Sequence, residues 1–149
     1  MSAADSDFLA DRGWVDEARA ILRAARRIAV VGLSDKPHRP SYGVARYLRE
    51  QGYEIVPVNP HVRETLGLRS YPSLRDVPGP VDVVQVFRRS EYVPEVVEEA
   101  VAVGAWAVWM QEGVRHEEAA RRARQAGLRV VMDACMAVVH RLLRARGEL

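Results

Sequence analysis

The stretch Gly32-Leu33-Ser34-Asp35-Lys36-Pro37-His38-Arg39-Pro40-Ser41-Tyr42-Gly43 gathers more anion-holding chemistry than any other part of the chain. Gly32 lets a ligand come close to the backbone, and Gly43 lets a following helix pack close to a strand. Ser41 is placed to cap that helix, which leaves backbone N–H groups at its N-terminus. Those donors and the helix dipole favour a phosphate. Lys36, His38 and Arg39 add positive charge beside them. The plainer alternative is an ordinary loop between strand and helix with solvated charges. The loop is not a G-x-G-x-x-G fingerprint, because extra residues and prolines intervene. It is not a P-loop, because no Gly-Lys-Ser/Thr occurs.

Other reactive groups are sparse. Cys135 follows an apolar run and opens a helix, where a thiol can be activated and a mixed disulfide formed; as a small buried hydrophobe it would be inert. Asp133 suits a cap on that helix. Glu112 falls in an exposed turn. His38, His61, His116 and His140 have no mutual metal spacing, and one cysteine makes no zinc pattern. His116 and His140 read as surface or helix-packing residues. Trp106 and Trp109 read as core on one face of a strand rather than as stacking platforms. No nucleophile–base–orienter set is visible, so no catalytic residue is assigned.

The elements that must position these groups follow a regular order. Segments 28–33, 54–58, 81–87, 105–110 and 128–132 are short runs rich in Val, Ile and Ala. Continuous apolar strands mean that both faces are covered, as in a parallel sheet under helices. Between them lie helical stripes: Trp14, Ala18, Ile21, Leu22 and Ala25; Val44 and Leu48; Tyr92, Val93, Val96, Val97 and Ala100; Ala119, Ala120 and Ala123; Met136, Val139 and Leu143. Gly52, Gly104 and Gly127 each follow a helix and precede a strand, as helix-terminating glycines do. Between Asn59 and Pro80 there is no long stripe. Residues 68–71 suit a short edge strand, and Pro57 inside the second strand puts it near an edge. Right-handed crossovers then give an α/β, Rossmann-type three-layer parallel sheet in the order 3-2-1-4-5-6, with helices on both faces. A polar leader covers 1–13, and a single domain covers 14–149.

Composition sets the boundaries of function. The chain has 149 residues, with 22 basic against 20 acidic residues and a net charge of +2. That near-balance argues against nucleic acid as a partner. A lone cysteine suits a reducing cytoplasm. The N-terminus has no signal-peptide pattern, and the uncharged run 100–110 is far short of a membrane span, which takes about 20 residues. Lys36 is the only lysine and Asn59 the only asparagine, a bias that suits a heat-adapted source.

In an open sheet of this type a ligand binds outside the carboxyl ends of the strands, where strand order reverses. Four segments meet there: the 32–43 loop, Asn59-Pro60, Phe87-Arg88, and Gln111-Glu112-Gly113. A dinucleotide enzyme usually ends its second strand in an acid that holds ribose hydroxyls; Asn59 stands in that place and counts against NAD.

In order along the chain, Val31-Gly32-Leu33-Ser34-Asp35-Lys36-Pro37 with Arg39-Pro40-Ser41-Tyr42, Val58-Asn59-Pro60, Val84-Gln85-Val86-Phe87-Arg88, Trp109-Met110-Gln111-Glu112-Gly113 and Val131-Met132-Asp133-Ala134-Cys135 resemble the small single-domain CoA-binding proteins. These are similar to the N-terminal domain of the succinyl-CoA synthetase α subunit. The resemblance spans about residues 14–140. It implies coenzyme A or an acyl-CoA across the carboxyl edge, held by Gly32, Ser34, Asp35, Lys36, Arg39, Pro40, Ser41, Tyr42 and Gly43 at the pyrophosphate. Asn59, Pro60, Phe87 and Arg88 would flank the adenosine and pantetheine, and Met110, Gln111 and Gly113 the thiol end. Two positions depart from the pattern. Val62 stands where the synthetase has a lysine, which leaves Arg63 or His61 for the 3′-phosphate, and Ala134 replaces an arginine. The expected function is a cytoplasmic CoA-binding module without activity of its own. The rivals are an acyl-CoA ligase subunit that needs an ATP-binding partner and a small nicotinamide-dependent oxidoreductase.

Overall fold

The computed structural model describes residues 12–149. The leader expected over 1–13 lies outside that range except for Arg12 and Gly13, which open the first helix. Helix α1 (Arg12–Ala24) leads to β1 (Arg27–Val31), α2 (Pro40–Glu50) and β2 (Glu54–Val58). A small hairpin, β3 (Glu64–Thr65) and β4 (Leu68–Arg69), and a single 3-10 turn at Leu74–Asp76 follow. Then come β5 (Val83–Val86), α3 (Val93–Ala102), β6 (Ala107–Met110), α4 (Glu117–Gln125), β7 (Arg129–Val131) and α5 (Met136–Ala145).

Five strands form one parallel sheet in the order β2-β1-β5-β6-β7. The class is the expected Rossmann-type one, and the order differs in one detail. The short edge strand is not a member of the sheet. Leu68–Arg69 pairs antiparallel with Glu64–Thr65, and Tyr71 joins the main sheet through one parallel bridge to Val58. Pro72 directly after that bridge has no N–H to extend it. Pro57 does lie on an edge strand, as its missing donor requires.

Alternation along the strands sorts the core into two layers. Ile28, Val30, Val83, Ala107 and Trp109 pack with α1, α2 and α5. Ala29, Val31, Val84, Val86, Val108 and Met110 pack with α3 and α4. Both faces are dry, which is why the strands read as unbroken apolar runs. Trp109 is fully buried, and its indole N–H donates to the Ala134 carbonyl at 2.8 Å. Trp106 packs on the same cluster although it is three residues away, because it sits in the turn before β6 rather than in the strand.

Local chemistry sets the helix ends. The glycines at 52, 104 and 127 all have positive φ, as expected. His116 caps α4, its Nδ1 accepting from the Ala119 N–H at 3.0 Å. His140 is buried between helices, and its Nδ1 is 2.8 Å from the Tyr47 hydroxyl. Burial first, then Arg144 and Arg141, lower its pKa below the ordinary value. The Tyr53 hydroxyl donates to the Leu22 carbonyl at 2.6 Å, and burial chiefly pushes its pKa up to about 12. Both histidines are therefore structural.

The two sheet edges are closed by different means. At β7, the Glu17 carboxylate accepts the Val130 N–H at 3.2 Å and pairs with Arg129 at 3.0 Å. At β2, Tyr71 donates to the Pro57 carbonyl at 3.0 Å and accepts the Asn59 N–H at 2.9 Å. Among the described residues no helix is long and apolar enough to cross a membrane.

Candidate functional site

The order of the sheet reverses between β1 and β5, and their carboxyl ends lie side by side. Phe87 N–H donates to the Val31 carbonyl at 2.8 Å, and Gly32 N–H to the Val58 carbonyl at 2.8 Å. Two cavities open directly above. One, of about 640 Å³, runs under the 32–43 loop to Gln111, Glu112 and Cys135. The other, of about 400 Å³, lies under Asn59, Pro60 and His61 and is walled by Arg89, Tyr92 and Glu99. They share Gly32, Phe87 and Arg88, so together they form one crevice across the strand ends.

Gly32 is essential to this geometry, for a reason other than the expected one. Its φ is +89°, and an added Cβ would lie 2.3 Å from the Phe87 carbonyl oxygen. The space beside it belongs to the protein's own β5 end rather than to a ligand. Gly43 also departs from expectation. A Cβ there would meet nothing within 4 Å, so it is not needed for packing α2 against a strand.

The 32–43 loop is braced from within. Ser41 is inside α2, not at its cap; its Oγ accepts the Ser34 N–H at 3.0 Å. The cap position belongs to Arg39, followed by Pro40 in the first turn, and the Arg39 side chain makes no capping hydrogen bond. Ser34 Oγ accepts the Lys36 N–H at 3.0 Å, and the Thr65 hydroxyl donates to the Ser34 carbonyl at 2.9 Å. Asn59 ties this loop to its own turn. Its Nδ2 donates to the Leu33 carbonyl at 3.1 Å and its Oδ1 accepts the His61 N–H at 2.9 Å. Both ends of the amide are thus occupied, which an aspartate could not reproduce. The bracing leaves Lys36 and Arg39 exposed at the cavity rim, with an α2 N-terminus whose cap residue, Arg39, makes no side-chain capping hydrogen bond.

The far end of the crevice is held by a buried amide relay. Gln85 Nε2 donates to Gln111 Oε1 at 3.1 Å, and the same oxygen accepts the Met136 N–H at 3.3 Å. Gln85 is wholly buried, and its Oε1 has no hydrogen-bond partner among the described residues. Asp133 has φ +55° and accepts the Gly113 N–H at 2.7 Å. It therefore fixes the 111–113 turn instead of capping α5, where Cys135 holds the cap position. Cys135 is half-buried and lines the larger cavity with Glu112.

The expected residues are brought together unevenly. Gly32, Ser34, Lys36, Arg39, Pro40, Ser41, Phe87, Arg88 and Gln111 line the larger cavity, and Asn59 and Pro60 the smaller. Asp35 and Gly113 sit in the same loops, and Tyr42 and Gly43 in the first turns of α2, without lining either cavity. Met110 is fully buried in the core. Of the two residues expected to replace a lysine at Val62, His61 lines the smaller cavity, whereas Arg63 lines an adjoining hollow beside the β3–β4 hairpin that meets that cavity at Asn59, Pro60 and Pro72. Tyr92 and Gln85 were not foreseen as site residues. Tyr92 carries the Arg88 guanidinium over its ring at 4.4 Å, while Glu95 accepts from that guanidinium at 2.9 Å. A polar residue inside the apolar run of β5 is the signal that marks Gln85. A further cavity of about 600 Å³ beside β7 contains none of the expected residues. Among the described residues no group of three or more His, Cys, Asp and Glu could hold a metal.

The CoA binding domain family matches residues 26–141. The uncharacterized protein YneT of Bacillus subtilis is 46% identical over 124 residues, covering 83% of this chain and 92% of that protein. A hypothetical protein from Pyrococcus horikoshii superposes with a TM-score of 0.82 at 42% identity, covering 87% of this chain and 92% of that one. The alpha subunit of ADP-forming acetate–CoA ligase II from Pyrococcus furiosus is 29% identical over 126 residues. That match takes in 77% of this chain but only 28% of the ligase subunit.

Proposed function

The chain belongs to the CoA binding domain family, and from that premise we propose that it binds coenzyme A or an acyl-CoA along the crevice as a small cytoplasmic binding module. The observation that carries this reading is the continuous crevice through Gly32, Phe87 and Arg88 at the reversal of strand order. The pyrophosphate sits at the uncapped start of α2 beside Lys36 and Arg39, where backbone N–H groups and cations favour it. The adenosine lies under Asn59-Pro60, and the thiol end points toward Gln111, Glu112 and Cys135. Asn59 supports CoA over NAD, because its amide is spent on Leu33 and His61 and offers no carboxylate to a ribose diol.

The thiol end offers Cys135 and Glu112 without a base placed on the thiol, which supports binding rather than turnover. A second reading rests on the ligase relative. The chain spans 28% of that subunit, so as a ligase component it would need partner domains to supply the remaining chemistry. Titration calorimetry tests the ligand. CoA should bind at least about tenfold more tightly than NAD, equivalent to roughly 1.4 kcal/mol. Equal affinities would overturn the reading. Thiol release from acetyl-CoA by the purified protein, abolished by Cys135→Ser, would replace the module with an enzyme.

A further inference from the structure

Coenzyme A differs from its dephospho form by a phosphomonoester on the ribose, which carries close to two negative charges at neutral pH. Given the adenosine placement proposed above, on which this inference rests, that group needs a cation in the smaller cavity. The charged groups lining it are His61, Arg88, Arg89 and Glu99. Arg88 is already committed, with Glu95 at 2.9 Å and the Tyr92 ring at 4.4 Å. His61 is exposed on the turn and spends its backbone N–H on Asn59. Glu99 repels a phosphate. Arg63 lines the adjoining hollow beside the hairpin, on the far side of Asn59, Pro60 and Pro72 from this cavity, where Glu64 and Arg69 are its charged neighbours.

Arg89 stands apart from all of these. Its side chain is 84% exposed, and among the described residues its one ion-pair contact is Glu91 at 4.0 Å, the outer limit of such a pair. Its backbone is fixed nonetheless, because its carbonyl accepts the Tyr92 N–H at 2.9 Å at the start of a 3-10 turn. An uncommitted guanidinium on an anchored backbone at a cavity wall is suited to bidentate phosphate recognition. We propose that Arg89, on the turn after β5, reads the ribose 3′-phosphate and thereby selects CoA over dephospho-CoA, a task that the 59–63 turn does not perform in this chain.

The test is a calorimetric matrix of CoA and dephospho-CoA against the parent, Arg89→Ala, Arg89→Lys, His61→Ala and Arg63→Ala. The parent should prefer CoA by about tenfold or more, as expected for a charge-assisted hydrogen-bonded contact. Arg89→Ala should lower CoA affinity to the dephospho-CoA level and leave dephospho-CoA binding unchanged. Arg89→Lys should restore part of the preference, and the other two variants should keep it. A preference that survives Arg89→Ala, or is lost with His61→Ala or Arg63→Ala, overturns the assignment while CoA binding stands. Equal parental affinity for the two ligands does the same. A parent that binds neither overturns the proposed function, and this inference with it.

Discussion

Replacing Gly32 by alanine should damage the fold itself and not only a ligand contact. The added Cβ would lie 2.3 Å from the Phe87 carbonyl oxygen and 3.0 Å from its carbon, both backbone atoms. The Phe87 backbone cannot simply retreat, because its N–H is bonded to Val31 at 2.8 Å in the centre of the sheet. Forcing volume into such a place costs about 1–3 kcal/mol. A non-glycine residue held at φ +89° adds backbone strain of order 1–3 kcal/mol. Together the loss is about 2–6 kcal/mol; in a domain of this size each kcal/mol moves Tm by about 2–4 °C. A thermal melt followed by circular dichroism should therefore fall by at least about 4 °C. Gly43→Ala is the matched control. Its Cβ meets nothing within 4 Å, and its φ lies outside the left-handed region. Within α2 it should stabilise by about 0.4–1 kcal/mol through the unfolded chain. If Gly32→Ala melts with the parent while CoA binding alone is lost, the space beside Gly32 is reserved for ligand and the reasoning from Phe87 is wrong.

Asn59→Asp should remove the donor to the Leu33 carbonyl and set a carboxylate against it, costing about 1–3 kcal/mol in denaturant unfolding. It should not create NAD binding, and measurable NAD affinity in that variant would contradict the bracing role given to Asn59. Arg39→Ala should weaken CoA binding more at low salt than at high salt, since its exposed guanidinium acts through screened attraction; equal losses at both ionic strengths would remove it from the anion site. His140 has a folded pKa below its ordinary 6.5, so the unfolded chain takes up the proton first as pH falls. The stability this group contributes is present above about pH 6.5 and is lost as pH drops below it, in Tm measured from pH 7.5 to 5. A His140→Gln variant should show a flatter profile, and one as steep as the parent's would move the proton uptake elsewhere.

The sheet and the position of the crevice were legible because both depend on features that repeat. Apolar strands, helical stripes and turn glycines recur along the whole chain, and the strand-order rule then places the ligand edge. The details that escaped depend on single atoms. Ser41 looked like a cap by type, but Pro40 already marked the first helical turn and moved the cap back to Arg39. Asp133 looked like a cap as well, and nothing local announces that Gly113, 20 residues away, takes its carboxylate. Gly32 was legible as a necessary glycine, but its neighbour Phe87 comes from a different strand. The short edge strand at 68–71 is not formed because Leu68 and Arg69 pair within a local hairpin with Thr65 and Glu64, and only Tyr71 bridges to the sheet.

The closed edges have a consequence for association. On one flank Glu17 occupies the outward N–H of β7, and on the other Tyr71 and Pro57 leave β2 little to offer a new strand. A parallel sheet with intact edges grows readily by adding strands from other copies, the route to aggregated cross-β material. Here the outward Val130 N–H of β7 is taken while α1 stays docked, which disfavours that route on this flank. The guard on β7 sits on the first helix of the described chain. Release of α1 would leave the Val130 N–H of β7 without its Glu17 partner, and so expose an edge that can pair with another strand.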